Sequence, residues 1–219
     1  MIRAVLFDLD GTLVDSLCDL ANSTNFALKQ FGFPTHETEK FKYFVGDGMP
    51  KLIERVLPEE NRDDKTKNQV LETFLSHYAE HFVDKTLVYG GIDSLLQKIS
   101  ELGIKTAVIS NKAQNMAEAV VAKLFGERFN IVCGKQEGYP AKPDPTLTLK
   151  VIEALGVKPN ECLFVGDSGM DMAVAVNADC IGVGVLWGFR TKEELEQNGA
   201  EYIVDNPNQI MDIIGEKGI

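Results

Sequence analysis

Apolar residues fall along this chain in two rhythms. Short, mostly apolar runs at 3–7, 105–109, 130–133, 162–165 and 180–185, with a weaker one at 202–204, read as strands of a buried sheet. Between the later runs, residues 91–102, 113–125 and 145–155 carry apolar positions three and four apart. That is the spacing of one helical face, and Ile92, Leu95, Leu96 and Ile99 set it in the first of them. Pro145 suits the first turn of its helix and Gly156 the end. Strands alternating with helices at this spacing predict right-handed βαβ units and a parallel sheet. The expected class is α/β, a Rossmann-like parallel sheet of order 3-2-1-4-5.

The rhythm breaks once. Residues 16–85 hold no good strand, only helical stretches at 17–31, 50–57 and 61–82. A crossover between parallel strands needs about a dozen residues. The surplus predicts an inserted helical cap at 16–85, with 1–15 and 86–219 forming the core domain.

The 219 residues are 44% hydrophobic, enough for one large core or for a main domain with a smaller insert. The net charge of −11 argues against a nucleic-acid groove or an anionic membrane surface as partner. No run approaches the ~20 apolar residues of a membrane span, and the first apolar run is broken by Asp8, unlike a signal peptide. Cys18, Cys133, Cys162 and Cys180 form no CxxC pair, so reduced thiols in a cytoplasmic protein are expected.

The polar residues that end the strands carry the chemistry. The first strand runs into Asp8-Leu9-Asp10-Gly11-Thr12. In an open α/β sheet, ligands bind just beyond the carboxyl ends of strands. Two carboxylates there need a cation, a shared proton or solvent. Asp-Gly is also a common turn pair, so this segment alone leaves both readings open. The second strand ends in Ser110-Asn111, which suits phosphate oxygens or, equally, a helix cap. Three prolines surround Lys142 in Tyr139-Pro140-Ala141-Lys142-Pro143-Asp144-Pro145 and would fix its backbone. The fourth strand ends in Gly166-Asp167, with Asp171 four residues on. Together these offer a nucleophilic carboxylate, further acids, a hydroxyl and a fixed ammonium. Mg²⁺ takes one or two carboxylates plus waters and phosphate oxygens. The set fits phosphoryl transfer through an aspartyl-phosphate.

Asp8 to Ser16, Ser110-Asn111, Lys142-Pro143 and Gly166-Asp167 through Asp171 resemble, in order, the four motifs of the haloacid dehalogenase superfamily of phosphohydrolases. The resemblance implies a core with a helical cap inserted after the first motif. It implies Asp8 as nucleophile and Asp10 as general acid/base. Asp8, Asp167 and the backbone carbonyl of Asp10 would hold Mg²⁺. Gly11, Thr12, Ser110, Asn111 and Lys142 would hold the phosphoryl group, and Asp171 would orient Lys142 or a metal-bound water. Within the superfamily the chain most resembles phosphoglycolate phosphatases, on Phe44 to Gly48, Tyr89 to Ile92 and Trp187-Gly188-Phe189. Leu20 stands where related mutases carry a His, the cap Arg they carry near Met49 is missing, and Asp10 supplies an acid that dehalogenases lack.

The implied substrate is a small phosphorylated metabolite and the implied assembly a monomer or homodimer. Other sugar-phosphate phosphatases, inorganic pyrophosphatases and, from a different class, phospho-acceptor regulatory domains remain alternatives. Gly46-Asp47-Gly48 before Pro50, with Lys51, is the expected specificity turn of the cap. His77 and His81, four apart on a helix, read either as a structural pair or as metal ligands. Trp187 reads either as a lid contact or as packing.

Overall fold

Residues 1–218 are described by a computed structural model. The chain forms two compact units, Met1–Val14 with Val88–Ile219, and Asp15–Leu87. In chain order the elements are β1 (Ala4–Phe7), β2 (Val14–Asp15), α1 (Leu17–Gln30), α2 (Phe41–Phe44), α3 (Met49–Val56), α4 (Asp64–His81), β3 (Leu87–Val88) and α5 (Ile92–Glu101). There follow β4 (Lys105–Ala113), α6 (Gln114–Phe125), β5 (Ile131–Lys135), α7 (Thr146–Leu155), β6 (Cys162–Gly166), α8 (Gly169–Asn177), β7 (Ile181–Val185), α9 (Lys192–Gln197), β8 (Tyr202–Val204) and α10 (Gln209–Lys217).

The first unit is built on a sheet of order β5-β4-β1-β6-β7-β8, every pair parallel. The five-strand order expected from the pattern is extended by a sixth strand, β8, at the edge. All four residues of β1 are fully buried, as a central strand covered on both faces requires. On one face Leu6, Ile109, Cys133 and Phe164 pack against Val151, Ile152 and Leu155 of α7 and Val174 and Ala175 of α8. Burial of each large apolar side chain stabilises by about 1.5–3 kcal/mol. Gly184 lies within β7 because a Cβ there would approach Ile203 at 2.9 Å and Leu195 at 3.0 Å. Phe7 pairs with Val108 on one side and Val165 on the other. The residues that follow β1, β4 and β6 therefore emerge side by side.

In the second unit α1 and α3 pack on α4. Leu20 and Leu28, Ile53 and Val56, and Val70, Phe74 and Tyr78 form its interior. Asp19, buried on α1, accepts hydrogen bonds from Lys85 N (2.9 Å) and from Thr86 N and Oγ1 (both 2.8 Å), fixing the returning chain. Two helix starts differ from the pattern. Residues 61–63 lie outside α4, because Asp63 caps it by accepting from Thr66 N at 3.1 Å. Pro145 precedes α7 as its cap. Strands β2 and β3, too short to show a period, form a separate two-stranded sheet. All four cysteines are free thiols, three of them buried. Among the described residues no helix is long and apolar enough to cross a membrane.

Candidate active site

Asp8 follows β1 directly, its N–H donating to Val165 O at 2.9 Å. The chain then folds over Leu9, whose carbonyl accepts from Leu13 N and Val14 N, both at 3.0 Å. Gly11 makes this turn possible. Its φ of +91° is costly for other residues, and a Cβ there would sit 2.3 Å from Asp167 Oδ2.

Lys142 is the hub of the site. Its ammonium donates to Asp8 Oδ1 (2.7 Å), Asp171 Oδ1 (2.7 Å) and Ile109 O (3.0 Å). Asn111 holds the lysine's backbone, accepting from Lys142 N at 2.8 Å through Oδ1. Asp171 lies in the first turn of α8, where Ser168 N and Oγ donate to its Oδ2 at 3.0 and 2.6 Å. Gly166 leaves room for it, since a Cβ there would meet Asp171 Cβ at 2.2 Å.

Asp167 is fixed from two loops. Thr12 Oγ1 donates to its Oδ1 at 3.1 Å and Phe189 N to its Oδ2 at 2.8 Å. Gly188 passes so close that a Cβ would lie 2.3 Å from Asp167 Cβ and 2.5 Å from Gly11 O. Trp187 joins the same assembly, its indole N–H donating to Thr12 O at 3.0 Å. None of these support contacts could be read from the sequence.

Asp8, Asp167 and Asp171 present carboxylate oxygens all within 4.8 Å of one another, and all three are buried. Burial, then the charge of Asp171, pushes the Asp8 carboxyl up to about 7 against the pull of Lys142. Burial, then Asp171 and Asp8, holds Asp167 well above the usual carboxylate range. Burial works against the Lys142 ammonium, but Asp171 and Asp8 outweigh it and raise it. Three acids facing one ammonium leave negative charge that a divalent cation would offset. Asp171 accepts three hydrogen bonds, Asp167 two and Asp8 one, so Asp8 and Asp167 keep more acceptor capacity for a cation.

Most residues expected at the site therefore meet at the carboxyl ends of β1, β4 and β6. Asp8, Gly11, Asn111, Lys142, Asp167 and Asp171 are linked by the contacts above. Ser110 is buried within β4, three residues before its end, where its Oγ accepts from Lys112 N at 3.2 Å. Thr12 is fully buried, and its hydroxyl donates to Asp167. Asp10 is half-buried, and its carboxylate pairs with Lys112, a residue the sequence reading passed over: β4 was expected to stop at Ile109 but continues to Ala113.

Gly46, Asp47, Gly48 and Lys51 lie in the second unit. Asp47 pairs with Arg55, Lys51 with Glu54 at 2.8 Å, and Gly48 opens α3 with φ +87°. His77 and His81 stack at 4.3 Å; Nδ1 of His77 lies 3.0 Å from Ser23 Oγ, and Nδ1 of His81 2.7 Å from Asp84. Among the described residues they belong to no group of three metal-ligating side chains.

The sequence profile of the haloacid dehalogenase-like hydrolases matches residues 5–185. The chain is 33% identical to a phosphoglycolate phosphatase of Chromobacterium violaceum, covering 97% of this chain and 96% of that one. It is 30% identical to a phosphoglycolate phosphatase of Aquifex aeolicus, covering 97% of each. A crystal structure from Lactobacillus delbrueckii subsp. bulgaricus, provisionally assigned as a phosphoglycolate phosphatase, superposes with a TM-score of 0.92 at 31% identity, over 97% of this chain and 98% of that one.

Proposed function

The chain belongs to the haloacid dehalogenase-like hydrolase family, and from that premise we propose that it is a Mg²⁺-dependent phosphomonoesterase whose substrate is phosphoglycolate. The observation that carries the chemistry is the Asp8 carboxylate, held through Oδ1 by Lys142 within the acid cluster, with Oδ2 left to react. What supports the substrate is the name borne by full-length relatives.

Asp8 attacks phosphorus and the ester P–O bond breaks. Asp10 gives its proton to the departing alkoxide, which leaves as the alcohol. The acyl-phosphate on Asp8 is then opened at phosphorus by water, whose proton passes to Asp10, releasing inorganic phosphate and restoring the Asp8 carboxylate and the protonated Asp10. Lys142 neutralises charge on the phosphoryl oxygens, assisted by Ser110; the N–H groups of Gly11 and Thr12, expected to share this task, donate instead to Val14 O and Leu9 O within the turn. A Mg²⁺ held by Asp8, Asp167 and the Asp10 carbonyl would supply further charge neutralisation when bound. Asp171 keeps Lys142 in place.

Domain roles follow the two units. The first does the chemistry. Gly46, Asp47, Gly48 and Lys51 of the second are proposed to set the choice of leaving group. With all four cysteines unpaired, the protein is proposed to work in the cytoplasm, as a monomer or homodimer. Phosphate release from a panel of phosphomonoesters and pyrophosphate, with Mg²⁺ and with excess chelator, tests the reading. Phosphoglycolate should have the highest kcat/KM, and chelation should abolish turnover. A sugar phosphate or pyrophosphate at the head of the panel would replace the substrate. Full activity in chelator would remove the metal.

A further inference from the structure

We propose that Lys112 is a positioning residue for Asp10, gripping its carboxylate where it exchanges a proton with the leaving group. The proposal rests on the acid/base reading of Asp10 above. The ammonium contacts both carboxylate oxygens, at 3.0 and 2.7 Å. The lysine side chain is fully buried, whereas that of Asp10 is 18% exposed. Lys112 is thus closed off from any substrate, and its partner is open to one. An ammonium out of water is costly unless well paired, so a buried lysine bound through both oxygens fixes the rotamer of its partner as well as neutralising it.

The local backbone is shaped for this grip. In a regular strand successive side chains alternate faces. β4 is buried without a break from Thr106 to Lys112, as a strand covered on both faces is, and its pairing with β5 slips between Ile109 and Ala113. Such an irregularity re-aims side chains. Three contacts maintain it. Ser110 Oγ accepts from Lys112 N at 3.2 Å. Gln114 bonds β5 in place of the interrupted ladder, accepting from Gly134 N at 2.6 Å and donating to Val132 O at 2.9 Å. Gly134 clears the way, since a Cβ there would lie 2.7 Å from Lys112 O. The slip lets Asn111 reach Lys142 while its neighbour Lys112 reaches Asp10, so one irregularity serves two parts of the site.

A role through Asp10 is separable from a structural one by kinetics. Misplacing a reacting group by about 1 Å can cost about 10²-fold. Lys112→Met should lower kcat about 10–100-fold on an alkyl phosphate and leave KM within about 2-fold. On p-nitrophenyl phosphate, whose leaving group needs no proton, the first step should be spared and a burst of p-nitrophenol should appear. In an Asp10→Asn background, Lys112→Met should cost nothing further. Lys112→Gln, which keeps a donor, should recover part of the loss, and it stands in if the Met variant fails to fold by circular dichroism. An equal loss in both backgrounds, or a rise in KM at unchanged kcat, overturns the role of Lys112 alone. Wild-type turnover by Asp10→Asn overturns the reading of Asp10 and the proposal with it.

Discussion

Replacing Asp171 by Asn removes one charge from the buried cluster while keeping its shape. Asp171 lies 2.7 Å from the Lys142 ammonium, and its oxygens are within 4.8 Å of those of Asp8 and Asp167. At a pH where Asp8 and Asp167 are both ionised, and at an effective dielectric of about 20, the attraction lost is about 6 kcal/mol and the repulsion relieved about 3.5 kcal/mol from each of the two acids. The two nearly cancel. One hydrogen bond to Ser168 is weakened, at about 1 kcal/mol. For a chain of this size 1 kcal/mol moves Tm by about 2–4 °C, so Tm in chelator should fall by no more than about 5 °C. With saturating Mg²⁺ the cation already offsets the repulsion, and only the attraction is lost. The rise in Tm on adding Mg²⁺ should therefore be smaller in the variant than in wild type. Lys142 keeps its contacts to Asp8 and Ile109, so kcat should fall about 10–100-fold without vanishing, the usual range for a supporting partner of a charged site. Melting curves in chelator and in Mg²⁺, beside steady-state rates, make the test. A loss above about 10 °C in chelator, or an undiminished Mg²⁺ response, refutes the charge balance argued here.

Other outcomes follow from the same cluster. Gly188→Ala drives a methyl into Asp167 and Gly11 O; the Mg²⁺ concentration for half-maximal activity should rise at least about 10-fold, and an unchanged Mg²⁺ titration would contradict it. The Asp8 carboxyl is raised from 3.8 to about 7 by burial and Asp171, so its contribution to stability is complete below pH 3.8 and lost as pH rises through 7. In chelator, Asp8→Asn should therefore gain stability over wild type as pH rises across that window; a difference in Tm that is flat with pH would refute it. Calcium in place of Mg²⁺ should inhibit, because its larger and looser coordination shell misplaces the nucleophile; Ca²⁺-supported turnover at the Mg²⁺ rate would count against this.

The strands were legible because a parallel sheet covered on both faces demands unbroken apolar runs, and runs such as Val5-Leu6-Phe7 have little else to become. The residues ending them were legible for a related reason: an acid directly after a core strand, as at Asp8 and Asp167, has few structural excuses. Supports that come from distant segments were not. Nothing local marks Thr12, Trp187 and Phe189 as partners of one assembly around Asp167. Lys112 escaped because a slip in register leaves no trace in a hydrophobic period, and a lysine three residues past the last apolar position reads as a solvated turn. In the second unit the glycine turn was found, but Asp47 and Lys51 have partners in Arg55 and Glu54 that the pattern did not pair.

The central claim is that the phosphoryl group passes through Asp8. It is tested most directly by acid quench of Asp10→Asn mixed with Mg²⁺ and p-nitrophenyl phosphate, whose leaving group needs no proton, followed by mass spectrometry of the peptide around residue 8. Loss of the acid/base group slows hydrolysis of the intermediate by about 10²–10⁴-fold, so a hydroxylamine-sensitive phosphoryl adduct should accumulate on Asp8, and none should form when Asp8→Asn is added. An adduct on another residue, or an Asp8→Asn enzyme that keeps more than half the wild-type turnover, would contradict the account.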